Sequence, residues 1–502
     1  MKDELTRLSA TRLAELVRTR AVSPVEVVEA HLRRIEEANP QLNAIVTLAP
    51  DALDCARRAE SALMRGEAFG RLHGVPVTVK DTIETGGLRT TYGSRLRAEH
   101  VPARDAPAVA RLRAAGAIVL GKTNCSEFAL EYTADNPVFG RTNHPHDATR
   151  TPGGSSGGCA AAVSACLSPL SLGSDLAGSV RIPAHFCGVA ALRPTTARVP
   201  TAGHLPPTTG AFSLGASLGP LARGVEDVAL LYDVLARDVA LGEDDTVMAK
   251  NEAKNVKGVD ESVGVGRSDF VGGRTRLRGC RVAWYTDDGV VRVTEETRRA
   301  VVAAADALAA SGLEVVEERP PGVEHGARLW HELFSPATQN FLREMYDGRV
   351  DEGGAMVQAM LRRSHMASRH ASNDASLHAS NDADALGRYF RAWSERDGLR
   401  RTLLEWMKRT PLVVAPVGAV AAFAHGTRKV SIGASEVSVF RAFGYAQTFN
   451  VFDLPAASVP AGRTQDNLPI GVQIVGRPFA EETVLVAARI VEEALGDHFQ
   501  RG

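Results

Sequence analysis

Between Thr151 and Pro194 the sequence reads TPGGSSGGCAAAVSACLSPLSLGSDLAGSVRIPAHFCGVAALRP. Gly153-Gly154-Ser155-Ser156-Gly157-Gly158 carries no bulky side chain, and small residues continue from Cys159 to about Cys166. This pattern predicts a loop leading into a helix that neighbours can approach closely. Leu170 to Leu172 reads as a short strand, Ser174-Asp175-Leu176-Ala177-Gly178-Ser179 as a tight turn, and Ile182-Pro183-Ala184 as the first turn of a second helix. A serine at such a strand-turn-helix bend, here Ser179, is exposed among backbone N–H groups. Those donors, with the positive end of the helix, can stabilise a developing oxyanion.

Three readings of the glycine stretch compete. A phosphate-binding loop needs lysine and then serine or threonine directly after its glycines, whereas Gly158 is followed by Cys159-Ala160. Gly153-Gly154-Ser155-Ser156-Gly157 formally matches the GxSxG nucleophile elbow, but an elbow follows a buried strand. The preceding Asn143-His144-Pro145-His146-Asp147-Ala148-Thr149-Arg150 is polar and broken by proline. Taken alone, GGSSGG reads most simply as a loop.

The run Gly153 to Pro183, with Gly74-Val75-Pro76-Val77-Thr78-Val79-Lys80-Asp81 upstream, closely resembles the amidase signature family. The resemblance covers about Leu72 to Leu235, including Gly121-Lys122-Thr123-Asn124, and returns at Phe449 to Gly462 and Pro469 to Leu485. It implies that Ser179 is the acyl-forming nucleophile, Ser155 a bridging serine held by a cis peptide bond, and Lys80 the base. It further implies an oxyanion hole from the N–H groups of Leu176, Ala177, Gly178 and Ser179, with Asp175 and Arg181 pairing across the turn and Ser156 bonding near Lys80. No cofactor or metal is expected. An ammonium cannot accept a proton, and a free lysine ionises at about 10.4, so burial must lower the pKa of Lys80. Its place at the end of the apolar run Val75 to Val79 fits that demand.

Two positions depart from the commonest family pattern. Ala177 stands where a second glycine is frequent, so its methyl group is expected to narrow the acyl pocket, and Cys159 replaces a common serine. Cys159 and Cys187 are expected to pack, and His144 and His146 to form a structural turn.

The resemblance implies a stand-alone hydrolase that cleaves a carboxylic or ureido amide C–N bond of a small, linear amide. The runner-up within the family is the catalytic A chain of a glutamine-dependent tRNA amidotransferase, an enzyme that works with partner chains. The usual midsection of that chain is not found around Ser364 to Arg401. A catalytically silent protein on the same fold is the third reading. Homodimers are common in similar proteins.

The elements that must position these residues follow from periodicity. Leu13, Leu16 and Val17 form a helical stripe, and Ser23-Pro24-Val25-Glu26 is a capping box opening an amphipathic helix to about Asn39. From Gly74 onward short apolar runs alternate with helices. Val75 to Val79 and Ala117 to Leu120 read as strands flanking a helix from Ala106 to Ala115; Arg281 to Tyr285, a helix after Thr294 and Leu313 to Val316 form a β-α-β unit. Leu412 to Val414 and Gly471 to Val475 are further buried strands. The pattern predicts an α/β fold. The resemblance implies one large domain, 1–502, with a central mixed, twisted β-sheet covered by helices on both faces. Its parts are a signature core of about 72–235, a variable middle of about 236–410 and a C-terminal part of the core, 411–495.

Gly242 to Thr275 is polar and glycine-rich, predicting a surface excursion. The tandem repeat His370-Ala-Ser-Asn-Asp374 and His378-Ala-Ser-Asn-Asp382 reads as a solvated loop rather than a metal site. At 502 residues, with 44% hydrophobic and 23% charged residues, the chain can bury a large core. A net charge of −1 gives no footprint for nucleic acid and no polybasic membrane patch. Six scattered cysteines without CxxC spacing, a start lacking a signal-peptide core and the absence of a long apolar run make a reducing cytoplasm the expected location.

Overall fold

Residues that alternate between two apolar surroundings build the central sheet. In strand Leu412–Pro416, Leu412 and Val414 join one hydrophobic core while Val413 and Ala415 join a second on the opposite face. This is the period-two signature of a strand buried on both sides. The computed structural model describes residues 2–67, 70–236, 273–370 and 375–496. Its sheet strands are β1 (Ile45–Leu48), β2 (Pro76–Lys80), β3 (Ile118–Thr123), β4 (Leu170–Asp175), β5 (Ala190–Arg193), β6 (Ser217–Ala222), β7 (Arg281–Trp284), β8 (Glu314–Glu317), β9 (Leu412–Pro416), β10 (Ala456–Arg463) and β11 (Pro469–Gly476). They form one 11-stranded sheet in the order β1-β3-β2-β4-β6-β5-β10-β11-β9-β7-β8. The sheet is mixed: β2 runs parallel to β3 and β4, β7 to β8 and β9, and the other neighbours are antiparallel.

The expected α/β architecture, with helices on both faces, is the one observed. The capping box at Ser23 makes both of its hydrogen bonds and opens helix Pro24–Leu42. That helix runs past Asn39, carrying Pro40 in its last turn, and stops where Asn43 turns left-handed at φ 53°. The predicted β-α-β unit is β7, helix Glu295–Ala310 and β8, capped at Thr294. On one face, helices Val225–Ala236, Glu295–Ala310 and Glu481–Leu495 cover the sheet. On the other lie Gly157–Ser164, Arg181–Cys187, Gly326–Met345 and Gly444–Val451. No helix among the described residues is long and apolar enough to cross a membrane.

Two expectations change. Ser174 and Asp175 are not part of the turn but the last residues of β4, because antiparallel pairing with Leu218 and Ser217 of β6 draws them into the sheet. The second copy of the repeat, His378 to Asp382, lies within helix Ala375–Trp406 rather than in a loop. The alanines interspersed there favour helix enough to outweigh the polar composition. Residues 371–374 of the first copy, and 242–272 of the predicted excursion, lie outside the described residues. The chain on either side of that excursion joins the same sheet, β6 before it and β7 after it.

The glycine-rich loop is glycine for a reason of distance. A Cβ on Gly158 would stand 2.5 Å from the backbone nitrogen of Asn124 and 2.7 Å from the carbonyl oxygen of Ala44. Helix Gly157–Ser164 therefore rests directly on the backbone after β3, to which Gly158 donates a 3.1 Å hydrogen bond. Gly158→Ala is expected to push the helix outward and cost about 1–3 kcal/mol of stability, read as a lowered thermal midpoint against wild type.

Candidate active site

β2 is buried at every residue and ends on Lys80. Thr78 and Val79 pair in parallel with Ser171 and Leu172, so the carboxyl ends of β2 and β4 lie side by side and Lys80 meets Ser174. Lys80 Nζ donates to Ser155 Oγ at 2.8 Å and to Ser174 Oγ at 3.0 Å. The side chain is fully buried, and no carboxylate among the described residues forms an ion pair with it. Burial pushes its ionisation down to about 8, opposed by the more distant Cys125, Cys159 and Asp175.

Ser155 follows a cis Gly154–Ser155 peptide bond and is fully buried. A Cβ on Gly154 would lie 2.1 Å from the carbonyl oxygen of Thr133, so the loop is pressed against its neighbour there as well. The next residue ties the two serine loops together: Ser156 N–H donates to the Ser179 carbonyl at 3.1 Å. The Ser156 hydroxyl donates to the Ser174 carbonyl at 3.2 Å and accepts from the Ser174 N–H at 3.3 Å, bracing the segment that holds Lys80. Ser155 and Ser179 line one cavity, along with Ser174 and His204.

The turn carrying Ser179 is built on Asp175. Its carboxylate accepts from the N–H groups of Gly178 at 2.8 Å and Val180 at 3.1 Å, and from Arg181 Nε at 3.1 Å and Nη2 at 3.0 Å. Arg181 donates further to Gln473 at 2.7 Å and Asn450 at 2.6 Å, and Asn450 returns a 2.9 Å bond to Asp175. Both charged side chains are fully buried. Burial alone would raise Asp175, but the Arg181 guanidinium and the surrounding donors hold it well below the usual carboxylate range.

Of the four backbone donors expected to face an oxyanion, Gly178 is therefore spent on Asp175. The N–H groups of Leu176, Ala177 and Ser179 take no partner among the described residues. Contacts behind the turn fix the directions of the Ala177 and Gly178 N–H groups. The Leu176 carbonyl accepts from Trp330 Nε1 at 2.8 Å and the Ala177 carbonyl from the Tyr132 hydroxyl at 3.0 Å. In a trans peptide, holding one carbonyl turns the following N–H the opposite way.

The cavity in front of this turn has a volume of about 300 Å³ and a largely apolar wall that includes Phe128, Leu130, Phe212, Trp330, Met360 and Phe440. Ala177 is among its lining residues. The carboxylate and imidazole groups on the wall are Glu131, Asp175, His204 and His331, with no lysine or arginine among the described lining residues. Burial pushes Glu131 up to about 7.

Lys80, Ser155, Ser156, Asp175, Leu176, Ala177, Gly178, Ser179 and Arg181 thus converge. Sequence reasoning missed Ser174 as a lysine partner, His204, and the anchors Trp330 and Tyr132. The polar Gln473 within an otherwise apolar strand was a readable signal of a buried partner. The other candidates are occupied elsewhere. Cys159 Sγ contacts Thr123 Oγ1 at 2.9 Å, and Cys187 Sγ donates to the Pro152 carbonyl at 3.5 Å. His144 bonds the Phe186 carbonyl at 2.9 Å and accepts from the His146 N–H at 3.1 Å.

The chain matches the Amidase family over residues 26–485, so the likeness extends through the middle where none was readable. It is 32% identical to the A chain of the glutamyl-tRNA(Gln) amidotransferase of Koribacter versatilis, over 97% of this chain and 98% of the relative. It is 34% identical to the corresponding A chain of Anaeromyxobacter dehalogenans, over 98% and 97%. Among solved structures it is similar to a bacterial aryl acylamidase of the amidase signature enzymes (TM-score 0.81, 25% identity, 98% and 97% covered). It is also similar to 6-aminohexanoate cyclic dimer hydrolase (TM-score 0.79, 28% identity, 98% and 97% covered).

Removing Arg181 alone strands a buried carboxylate. Arg181→Met is expected to cost about 3–5 kcal/mol of stability near neutral pH. Asp175 ionises lower in the folded than in the unfolded chain, so its stabilisation is present above the unfolded pKa and fades as pH falls. The difference between variant and wild type should therefore narrow in acid, as measured by denaturant midpoints across pH.

Proposed function

The chain belongs to the amidase signature family of amide C–N hydrolases, and from that premise we propose that it cleaves small linear amides through an acyl-enzyme on Ser179. The observation that carries this reading is the 2.8 Å contact between Ser155 and a buried Lys80 that has no carboxylate partner among the described residues. Neutral Lys80 takes the proton of Ser155 as Ser155 takes that of Ser179, and Ser179 Oγ attacks the carbonyl carbon. The N–H groups of Leu176, Ala177 and Ser179 receive the oxyanion. Running backwards, the relay delivers the proton to the nitrogen as the C–N bond breaks. Water then enters, gives its proton to the same relay and releases the carboxylic acid, or a carbamic acid from a ureido substrate.

The apolar wall favours an amide whose acyl or amine portion carries an apolar group. The second reading, the A chain of an amidotransferase, is favoured by identities of 32% and 34% over nearly the whole chain. Glutamine, however, presents an ammonium and a carboxylate, and the described lining residues offer no lysine or arginine for the latter. We therefore place the stand-alone amidase first.

Three measurements decide between the readings. A fluorophosphonate should label Ser179, and absence of both labelling and turnover would support a silent fold. Across a panel of aromatic, aliphatic and ureido amides and glutamine, kcat/KM should be highest for an apolar amide; efficient glutaminase activity with little action on the others would overturn the assignment. The acylation rate should rise with pH through an ionisation near 8, because the base works only when neutral. Lys80→Ala should lower that rate by about 10²–10⁴ and abolish the limb.

A further inference from the structure

Among the described residues, His204 is the side chain that meets the lysine site from a segment outside the motifs. Its Nδ1 lies 2.8 Å from the Pro206 carbonyl oxygen and its Nε2 lies 2.9 Å from Ser174 Oγ. A carbonyl only accepts, so Nδ1 carries the hydrogen and Nε2 the lone pair. Ser174 must then donate its single hydroxyl hydrogen to His204. With that hydrogen spent, Ser174 Oγ can meet Lys80 Nζ, 3.0 Å away, only as an acceptor.

A neutral lysine has two N–H bonds and one lone pair. One N–H is taken by Ser174, and the lone pair remains for the hydroxyl of Ser155. We propose that His204 is a positioning residue that locks the Ser174 hydroxyl so that the lone pair of Lys80 is reserved for Ser155, an inference that rests on the reading of Lys80 as the base. Without the imidazole, the Ser174 hydroxyl is free to swing onto the lysine nitrogen and compete with Ser155 for it. The device requires an imidazole that stays neutral, and burial, with the charge of Lys80 adding to it, pushes His204 down to about 3. The other titratable groups around Lys80 are Cys125 and Cys159, whose thiols are raised by burial, and Asp175, held ionised by Arg181.

The test is a double-mutant cycle on the pre-steady-state acylation rate, measured across the Lys80 limb with an amide that wild type turns over. Rates are expressed per fluorophosphonate-titrated site, so unfolded protein does not count, and His204→Leu replaces His204→Phe where phenylalanine is not accommodated. His204→Phe is expected to lower the plateau rate by up to about 100-fold with little change in KM. The limb should also move to lower pH, because a hydroxyl donated to the nitrogen favours the neutral amine. His204→Gln, whose carbonyl can accept from Ser174, should restore most of the lost rate. In a Ser174→Ala background, His204→Phe should cost nothing further. Equal losses in both backgrounds, or a raised KM with an unmoved limb, would overturn the proposal and leave His204 as cavity wall. Failure of the underlying reading looks different: Lys80→Ala would then retain the limb.

Discussion

A lysine placed in a dry interior without a counter-ion is costly as an ammonium and comfortable as an amine, and the rest of the site is arranged around that constraint. Lys80 reaches its position because β2 is buried along its whole length and is flanked by parallel strands on both sides. Its hydrogen-bonding neighbours are hydroxyls, which can accept from an ammonium or serve an amine without adding charge. A carboxylate at the same place would hold the proton on the lysine and remove the base. Asp175, one residue beyond Ser174, is a carboxylate whose charge acts on Lys80. Arg181 offsets that charge by taking the carboxylate in a two-pronged pair, with Asn450 and Gln473 satisfying the remaining donors and acceptors. The pair that shapes the nucleophile turn thus also protects the protonation state of the base.

The turn shows a second economy of the same kind. Asp175 draws the Gly178 N–H inward, which leaves the donors of Leu176, Ala177 and Ser179 without partners among the described residues. One of these, the Ala177 N–H, is aimed by Trp330 acting on the Leu176 carbonyl behind it, while Tyr132, on the Ala177 carbonyl, backs the Gly178 N–H that Asp175 holds. Tyr132 is itself fixed by a 2.7 Å bond from Gln447 and by stacking on Phe440. Leaving polar groups unpaired has a free-energy cost in the resting protein. It becomes useful only when an anion arrives to collect them.

Much of this was legible in the sequence, and the legible part has a physical character. The glycines of 153–158 announce backbone contact, because at Gly154 and Gly158 a single added carbon would overlap a neighbouring main chain. The apolar run ending on Lys80 announces a buried amine, and the serine–glycine bend before Ile182-Pro183 announces a nucleophile turn. What stayed hidden depends on contacts between distant segments. Ser174 looked like a turn residue because its partner β6, at Ser217–Ala222, carries no strong strand signal of its own. His204 sits in Gly203-His204-Leu205-Pro206-Pro207, whose composition says only that the chain bends. Its meaning comes from lying 2.9 Å from a serine thirty residues earlier. The polar repeat misled in the other direction, since helix propensity in Ala375–Trp406 prevailed over composition.

The same long-range contacts explain why similarity along the whole chain does not transfer a substrate. Trp330 lines the cavity with its ring and aims a peptide plane of the nucleophile turn with its indole nitrogen. A residue that both touches the ligand and orients the donors cannot be exchanged for specificity without altering the rate. In this chain, a change in the wall contributed by Gly326–Met345 at Trp330 would also have to re-aim the Leu176 carbonyl. Trp330 satisfies both demands with one side chain: an apolar face toward the cavity and a donor toward the loop. An apolar wall and an aimed oxyanion loop are, in this protein, one piece of structure.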